Sequence, residues 1–458
     1  MSGLAGHVCA IGAILALCAA AGFTASPALF ARGAARAGER AAWSFCVGLL
    51  LIEGCVALAL AVSLRPGWLA FLLLSGVAVL ASRLLPALPQ DGAPSALPPS
   101  PRSRLCRAAF LCLAVAGALL YLLRALTEPM WAADFLAIWG WKGKVLFGAG
   151  TLPDWMWRMP AFGFTHPEYP VGLPLIDAGI AFLIGSFDDH AMALLDPALQ
   201  VGTLCLLWGW LRRRGVPPAV SLGASAALAL FEPLYSAFTT GMADVPLSFF
   251  LLLLGTSMVD ALAEEPGALR RLILAAAGAA LLKNEGLLAA AAVAGLSLAA
   301  GRARWPARAR AAVAALLPAA AVLGCHRLWR GALPLRDFRL GLLIGSDFPA
   351  RFELGLRTIV DEAILPAAPG LAAFGLLVWA GRRAPAGDRL LALAGILVAI
   401  YAALPSLCVW GPEWLVRTAF ARTAAALAPL AAAGTALRLS SVFWSSGESS
   451  GSAAGRAA

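Results

Sequence analysis

Apolar runs near residues 8–30, 42–62, 67–84, 106–126, 192–211, 217–236, 246–261, 311–325, 363–381, 389–406 and 421–438 alternate with short polar stretches along the whole chain. Most are close to the roughly 20 residues that a helix needs to cross a hydrocarbon core of ~30 Å. The pattern predicts an all-α polytopic membrane protein with about eleven full transmembrane helices and some short re-entrant or juxtamembrane ones. Two segments break the rhythm. The run 171–187 is short, proline-interrupted and carries Asp177, which suits a re-entrant or interfacial helix. The run 271–301 holds Lys283, Asn284, Glu285 and Gly286 at its centre, so it reads as two short helices meeting at membrane depth.

Composition agrees: 61% of the residues are hydrophobic, 13% are charged, and the mean hydropathy is +0.82. The net charge of +10 raises the question of nucleic acid, but the arginines sit in clusters between apolar runs and not along one polar face. They act as topology signals. Arg32/Arg36/Arg40, Arg83 to Arg107, Arg212–Arg214, Arg270/Arg271, Arg302–Arg310 and Arg382/Arg389 all fit on one side, the cytoplasm by the positive-inside rule. The expected N-terminus is then outside and the C-terminus inside. A cleaved signal peptide is the rival reading of residues 1–30, but "MSGLAGHVCA" lacks the positively charged start it requires. Nine scattered cysteines without metal-ligand spacing read as small apolar packing residues, although Cys325 and Cys408 both fall where a disulfide on the outer face is open to them. No polar segment is long enough to fold alone. The Pro/Ala/Ser-rich tract 86–104 and the tail 441–458 read as disordered and cytoplasmic.

With this topology the unusual polar residues gather on the outer face, in loops 127–170 and 327–362 and at the mouths of spans. The stretch "DFLAIWGWKGK" carries Asp134 and two of the chain's three lysines, Lys142 and Lys144. Helical spacing brings Lys142 near the face of Asp134, so an acid and an ammonium can address one ligand; alternatively the tryptophans form an interfacial belt and the lysines snorkel. Downstream stand His166, Glu168 and Tyr169. Asp244 opens a span just before Pro246, where it can cap the helix or face a cavity. Lys283 and Glu285 can serve a ligand or pin the two short helices by a salt bridge. At the last span, Arg417 and Arg422 offer guanidinium groups for a phosphate or carboxylate. No zincin, nucleophile-elbow, Walker or EF-hand pattern occurs, and no metal ligand set is assigned.

Together, Asp134 with its downstream W…K, "HPEYPVGLPL" at 166–175, "TTGMADVPLSFF" at 239–250, "KNEG" at 283–286 and W…R at 414–422 resemble the GT-C superfamily of polyprenyl-phosphate-sugar-dependent membrane glycosyltransferases. The resemblance is to the branch of protein O-mannosyltransferases and the aminoarabinose transferase of lipid A. It spans roughly 130–430, making 106–440 the catalytic module and 1–105 an N-terminal addition.

The resemblance implies inverting sugar transfer from a polyprenyl-phosphate donor to an acceptor hydroxyl, at the periplasmic face of a bacterial inner membrane. It implies Asp134 as general base and Asp244 as a second acid that orients acceptor or sugar. Lys142, Lys283 and Arg422 become candidates for stabilising the phosphate leaving group, with Lys144, Glu285 and Arg417 beside them. His166, Glu168 and Tyr169 match a segment lining the sugar pocket. No resident cofactor is implied beyond the lipid-linked sugar as substrate, and a divalent ion is left open. The acceptor is a lipid, a glycan or a protein. The paired acids of the protein-mannosylating branch are absent, because Phe135 follows Asp134 and Glu128 stands six residues before it. Two other classes compete: a transporter or flippase of lipid-linked saccharides, and a non-catalytic subunit of an envelope assembly. Nothing suggests a nucleic-acid partner.

Overall fold

The computed structural model describes Gly12, Leu29, Phe30 and residues 37–84, 101–128, 130–236, 239–330, 339–381 and 383–448. Most of the expected first span, most of the 86–104 tract and the last ten residues of the tail lie outside them. Among the described residues every regular element is helical. The longer ones are α1 (Ala37–Ala61), α2 (Trp68–Leu84), α3 (Pro101–Thr127), α4 (Gly140–Ala149), α5 (Gly172–Ile184), α6 (Leu195–Arg213), α7 (Pro218–Ala229), α8 (Asp244–Leu262), α9 (Ala268–Leu282) and α10 (Asn284–Ala299). After these come α11 (Trp305–Arg330), α12 (Phe348–Ile359), α13 (Leu365–Ala380), α14 (Pro385–Ala403), the short α15 (Ala421–Ala425) and α16 (Ala428–Glu448).

The bundle is organised around α8. Its run "LSFFLLLLG" is apolar on every side, the signature of a helix surrounded by others, and all of its residues are buried. It packs against α6, α9, α10, α11, α14 and α16. Outside this centre, α1 lies on α5 and α6, α3 on α7, and α9 and α10 both on α11.

Among the described residues six helices are long and apolar enough to cross a membrane: Ala37–Ala61, Arg104–Thr127, Asp244–Leu262, Trp305–Leu328, Phe348–Ala380 and Pro385–Leu407. A seventh crossing forms if Pro412–Ala425 and Ala428–Ser440, bent by 42°, act as one span. The chain is therefore a helical, multi-pass membrane protein; the expected count of about eleven is not confirmed among the described residues. The predicted runs at 67–84 and 217–236 yield short helices, and the one at 192–211 forms α6, which carries Asp196, Arg212 and Arg213. The 171–187 run gives the 13-residue α5, ended by Gly185 in the left-handed conformation (φ +80°). Two expected loop or tail tracts are instead helical: α12 begins inside the predicted loop 327–362, and α16 continues through 441–448. Cys325 is exposed, Cys408 is buried, and they are not joined.

The two ends of α8 carry separate ionic clusters. At its C-terminal end Asp260 pairs with Arg213 (2.6 Å), Arg271 (2.9 Å) and Arg214, and accepts a hydrogen bond from Trp210 Nε1 at 3.0 Å. Glu39 of α1 adds a further bond to Arg213 at 2.8 Å, and Glu265 holds Arg214 at 2.7 Å. Four residues beyond Asp260, Glu264 pairs with Arg310 at 2.9 Å. Three of the arginine clusters read as topology signals thus share one end of the bundle. Asp260→Asn keeps the acceptor for Trp210 and removes the charge among three arginines. We expect it to cost about 2 kcal/mol, the scale of lost hydrogen bonds to charged groups, as a lowered unfolding midpoint in detergent.

Candidate functional site

At the other end of α8, about 24 Å from Asp260 at 1.5 Å per helical residue, five of the sequence-predicted site residues form one row. Asp134 Oδ2 accepts from Arg422 Nη2 at 2.7 Å, although the two lie 288 residues apart. Arg422 Nε lies 2.8 Å from Asp244 Oδ2, and the other oxygen of Asp244 accepts from Lys283 Nζ at 3.0 Å. Lys283 in turn sits 3.1 Å from Glu285 Oε1. The order is acid, base, acid, base, acid. Side-chain exposure falls from 32% at Asp134 through 12% at Arg422 to 1% at Asp244 and rises again through 6% at Lys283 to 15% at Glu285, so the row is most deeply buried at its middle acid.

Local backbone structure explains how each residue is presented. Asp134 precedes a π-helical turn, Phe135–Trp139, and Arg422 follows another, Val416–Phe420. Such turns interrupt the regular helical ladder and recur at functional sites. Asp244 is the first residue of α8, one beyond the N-cap position held by Ala243, and its two oxygens lie against Arg422 and Lys283. Lys283 sits in an extended conformation (φ −157°, ψ 153°) that ends α9 and starts α10, the two-helix arrangement expected at "KNEG".

Close approach at that junction needs glycine. A Cβ at Gly286 would overlap the carbonyl of Ala279. Gly286→Ala is therefore expected to force α9 and α10 apart and to destabilise by about 1–3 kcal/mol, the usual range for overpacking, visible as a lower thermal midpoint.

The remaining predicted residues fall into two groups. His166, Glu168 and Tyr169 lie beside the segment that carries Asp134. Tyr169 stacks on Trp139 (5.4 Å between centroids) and on His166 (5.2 Å), while His166 Nδ1 lies 3.2 Å from Glu168 Oε1. His166 adopts φ +50°, an uncommon conformation for a residue with a Cβ, and its carbonyl receives Lys142 Nζ at 2.7 Å. Lys142 is buried, with the rings of Trp139 and Trp157 at 5.9 and 5.7 Å. Its ammonium thus ties the loop to α4. Lys144 is exposed, and Arg417 forms a surface pair with Glu362 at 2.7 Å. The structure brings neither into the row.

Two residues near the row had not been singled out: Met242, whose sulfur touches Arg422 Nη1, and Asp196, buried in α6. Asp196 carried a readable signal, an acid inside an apolar run. Among the described residues no group of three or more His, Cys, Asp or Glu side chains is arranged to hold a metal ion.

No family model, curated protein or solved structure matches the chain.

Proposed function

We propose that the chain is a membrane glycosyltransferase that moves a sugar from a polyprenyl-phosphate donor to an acceptor hydroxyl, with inversion, at the periplasmic face of a bacterial inner membrane. One observation carries the reading: Asp134, Arg422, Asp244, Lys283 and Glu285, drawn from distant parts of the chain, meet in a single row. Sugar transfer from a lipid phosphate needs a base for the acceptor proton and cations for the departing phosphate, in a site shielded from water.

The acceptor oxygen attacks the anomeric carbon as its proton passes to Asp134. The bond from that carbon to the phosphate oxygen breaks, and the phosphate leaves with the electron pair. Arg422 and Lys283 are the cations placed to hold it. In the resting row Asp134 is engaged by Arg422. A donor phosphate that draws Arg422 towards itself releases Asp134 for the acceptor, so donor binding prepares the base. In the stack of Trp139, Tyr169 and His166 the buried Trp139 backs the part-buried Tyr169 and His166, which are the two rings able to meet a sugar. The arginine clusters at the opposite end of α8 support an outward-facing site.

The test uses purified full-length protein in liposomes loaded with polyprenyl-phosphate sugars, paired with glycan and lipid-linked-sugar profiles of a deletion strain and its parent. Release of polyprenyl phosphate together with a new glycosidic bond is the expected result. Translocation of the lipid-linked sugar without a new bond would overturn the reading in favour of a flippase.

A further inference from the structure

The turn between residues 239 and 243 adjoins two of the row's three acids, Asp244 along the chain and Asp134 through its neighbour Phe135. Gly241 has a φ of +79°, and a Cβ there would collide with Met130 and with Phe135, the neighbour of Asp134. One residue on, Met242 contacts Arg422; three residues on stands Asp244. Hydrogen bonds brace this turn from below. Thr239 Oγ1 donates to Leu234 O at 2.7 Å and accepts from Ser236 N at 3.2 Å, and Thr240 Oγ1 donates to Ser236 O at 3.3 Å.

The bond that ties the turn to the bundle comes from Asp196. Its carboxylate, buried in α6, accepts from the Gly241 N–H at 2.6 Å. The bond is short, and an N–H in this part-buried place left without an acceptor loses free energy on the scale of its desolvation. α6 also packs directly on α8, so both ends of the connection are held by the same pair of helices. Resting on the site proposed above, we infer that Asp196 is a positioning residue: by anchoring Gly241 it sets where Asp244 and Met242 meet Arg422, and through Phe135 where Asp134 lies.

The experiment reads the turn independently of turnover. Met242→Cys is introduced into the full chain, in membranes, and modification by a charged methanethiosulfonate is followed by mass spectrometry of the peptide carrying position 242. Position 242 is buried and should label slowly. Adding Asp196→Ala, or the closely shaped Asp196→Leu, should speed labelling about ten- to hundredfold, the factor that an N–H left without its acceptor is worth, while Asp196→Asn keeps an acceptor and the protection.

In the transfer reaction the same acceptor-free variants should lower kcat at unchanged KM, with Asp196→Asn restoring it. Unchanged labelling in whichever of the Ala and Leu variants folds would overturn the inference. So would the failure of both to fold, since the bond would then be a requirement of the bundle and not a setting of the site. Accelerated labelling in a protein that transfers no sugar would uphold the anchor and remove only the enzymatic reading.

Discussion

Asp134→Asn is expected to abolish consumption of a lipid-linked sugar while leaving the protein folded. Asparagine keeps the size of aspartate and an oxygen that can accept from Arg422, and Arg422 retains Asp244 as its buried partner. Because Asp134 is only partly buried, the stability change should stay within about 1 kcal/mol, the scale of pairs near the surface. The chemical loss is of another order. An amide cannot take the acceptor proton, and a positioned general base contributes about 10²–10⁴-fold. Turnover in liposomes, read as polyprenyl phosphate released per protein, is the measurement. Retained turnover at an unchanged unfolding midpoint would remove Asp134 from the mechanism. Loss of both activity and midpoint would instead assign it to the fold.

The contrast between Lys283 and Lys142 shows how far such a site can be read from the chain alone. Lys283 lies between two apolar runs too short to cross alone, so a break at membrane depth with a charge to be satisfied follows from spacing, and the structure has that break. Lys142 follows an apolar stretch at helical spacing from Asp134, yet its ammonium reaches the carbonyl of His166. Periodicity gives the face on which a side chain stands, not which backbone oxygen a later loop will offer it. The pairing of Asp134 with Arg422 has no local signature at all, and the motif resemblance alone suggested that they share a site. Asp260 and the arginines around it were half legible. The arginine clusters announced a common side, but the acid that neutralises them lies inside a run read as wholly apolar. The span count is not confirmed for another reason: hydropathy marks an apolar run but not where its helix ends, and the run at 217–236 forms a helix of only Pro218–Ala229.

The second large effect concerns the pair at the buried centre of the row and separates a structural role from a chemical one. Asp244→Leu leaves Lys283 and Arg422 facing each other in a site where Asp244 is 1% and Lys283 6% exposed. Removing one partner of a buried ion pair costs about 3–5 kcal/mol, and since Lys283 keeps Glu285 and Arg422 keeps Asp134 the lower end of that range applies. A large fall in the unfolding midpoint is expected, as it is for Lys283→Met, which strands Glu285 and leaves Asp244 to Arg422 alone. The double variant Asp244→Leu/Lys283→Met should recover much of the loss, since an apolar replacement of a buried pair is often neutral or stabilising. Turnover should not return with it. A row that serves only to hold α8, α9 and α10 together would lose nothing further once stability is restored; a row that carries the departing phosphate loses one of its two cations for good. Recovery of the midpoint together with full transfer activity would show that Lys283 and Asp244 belong to the fold and not to the chemistry.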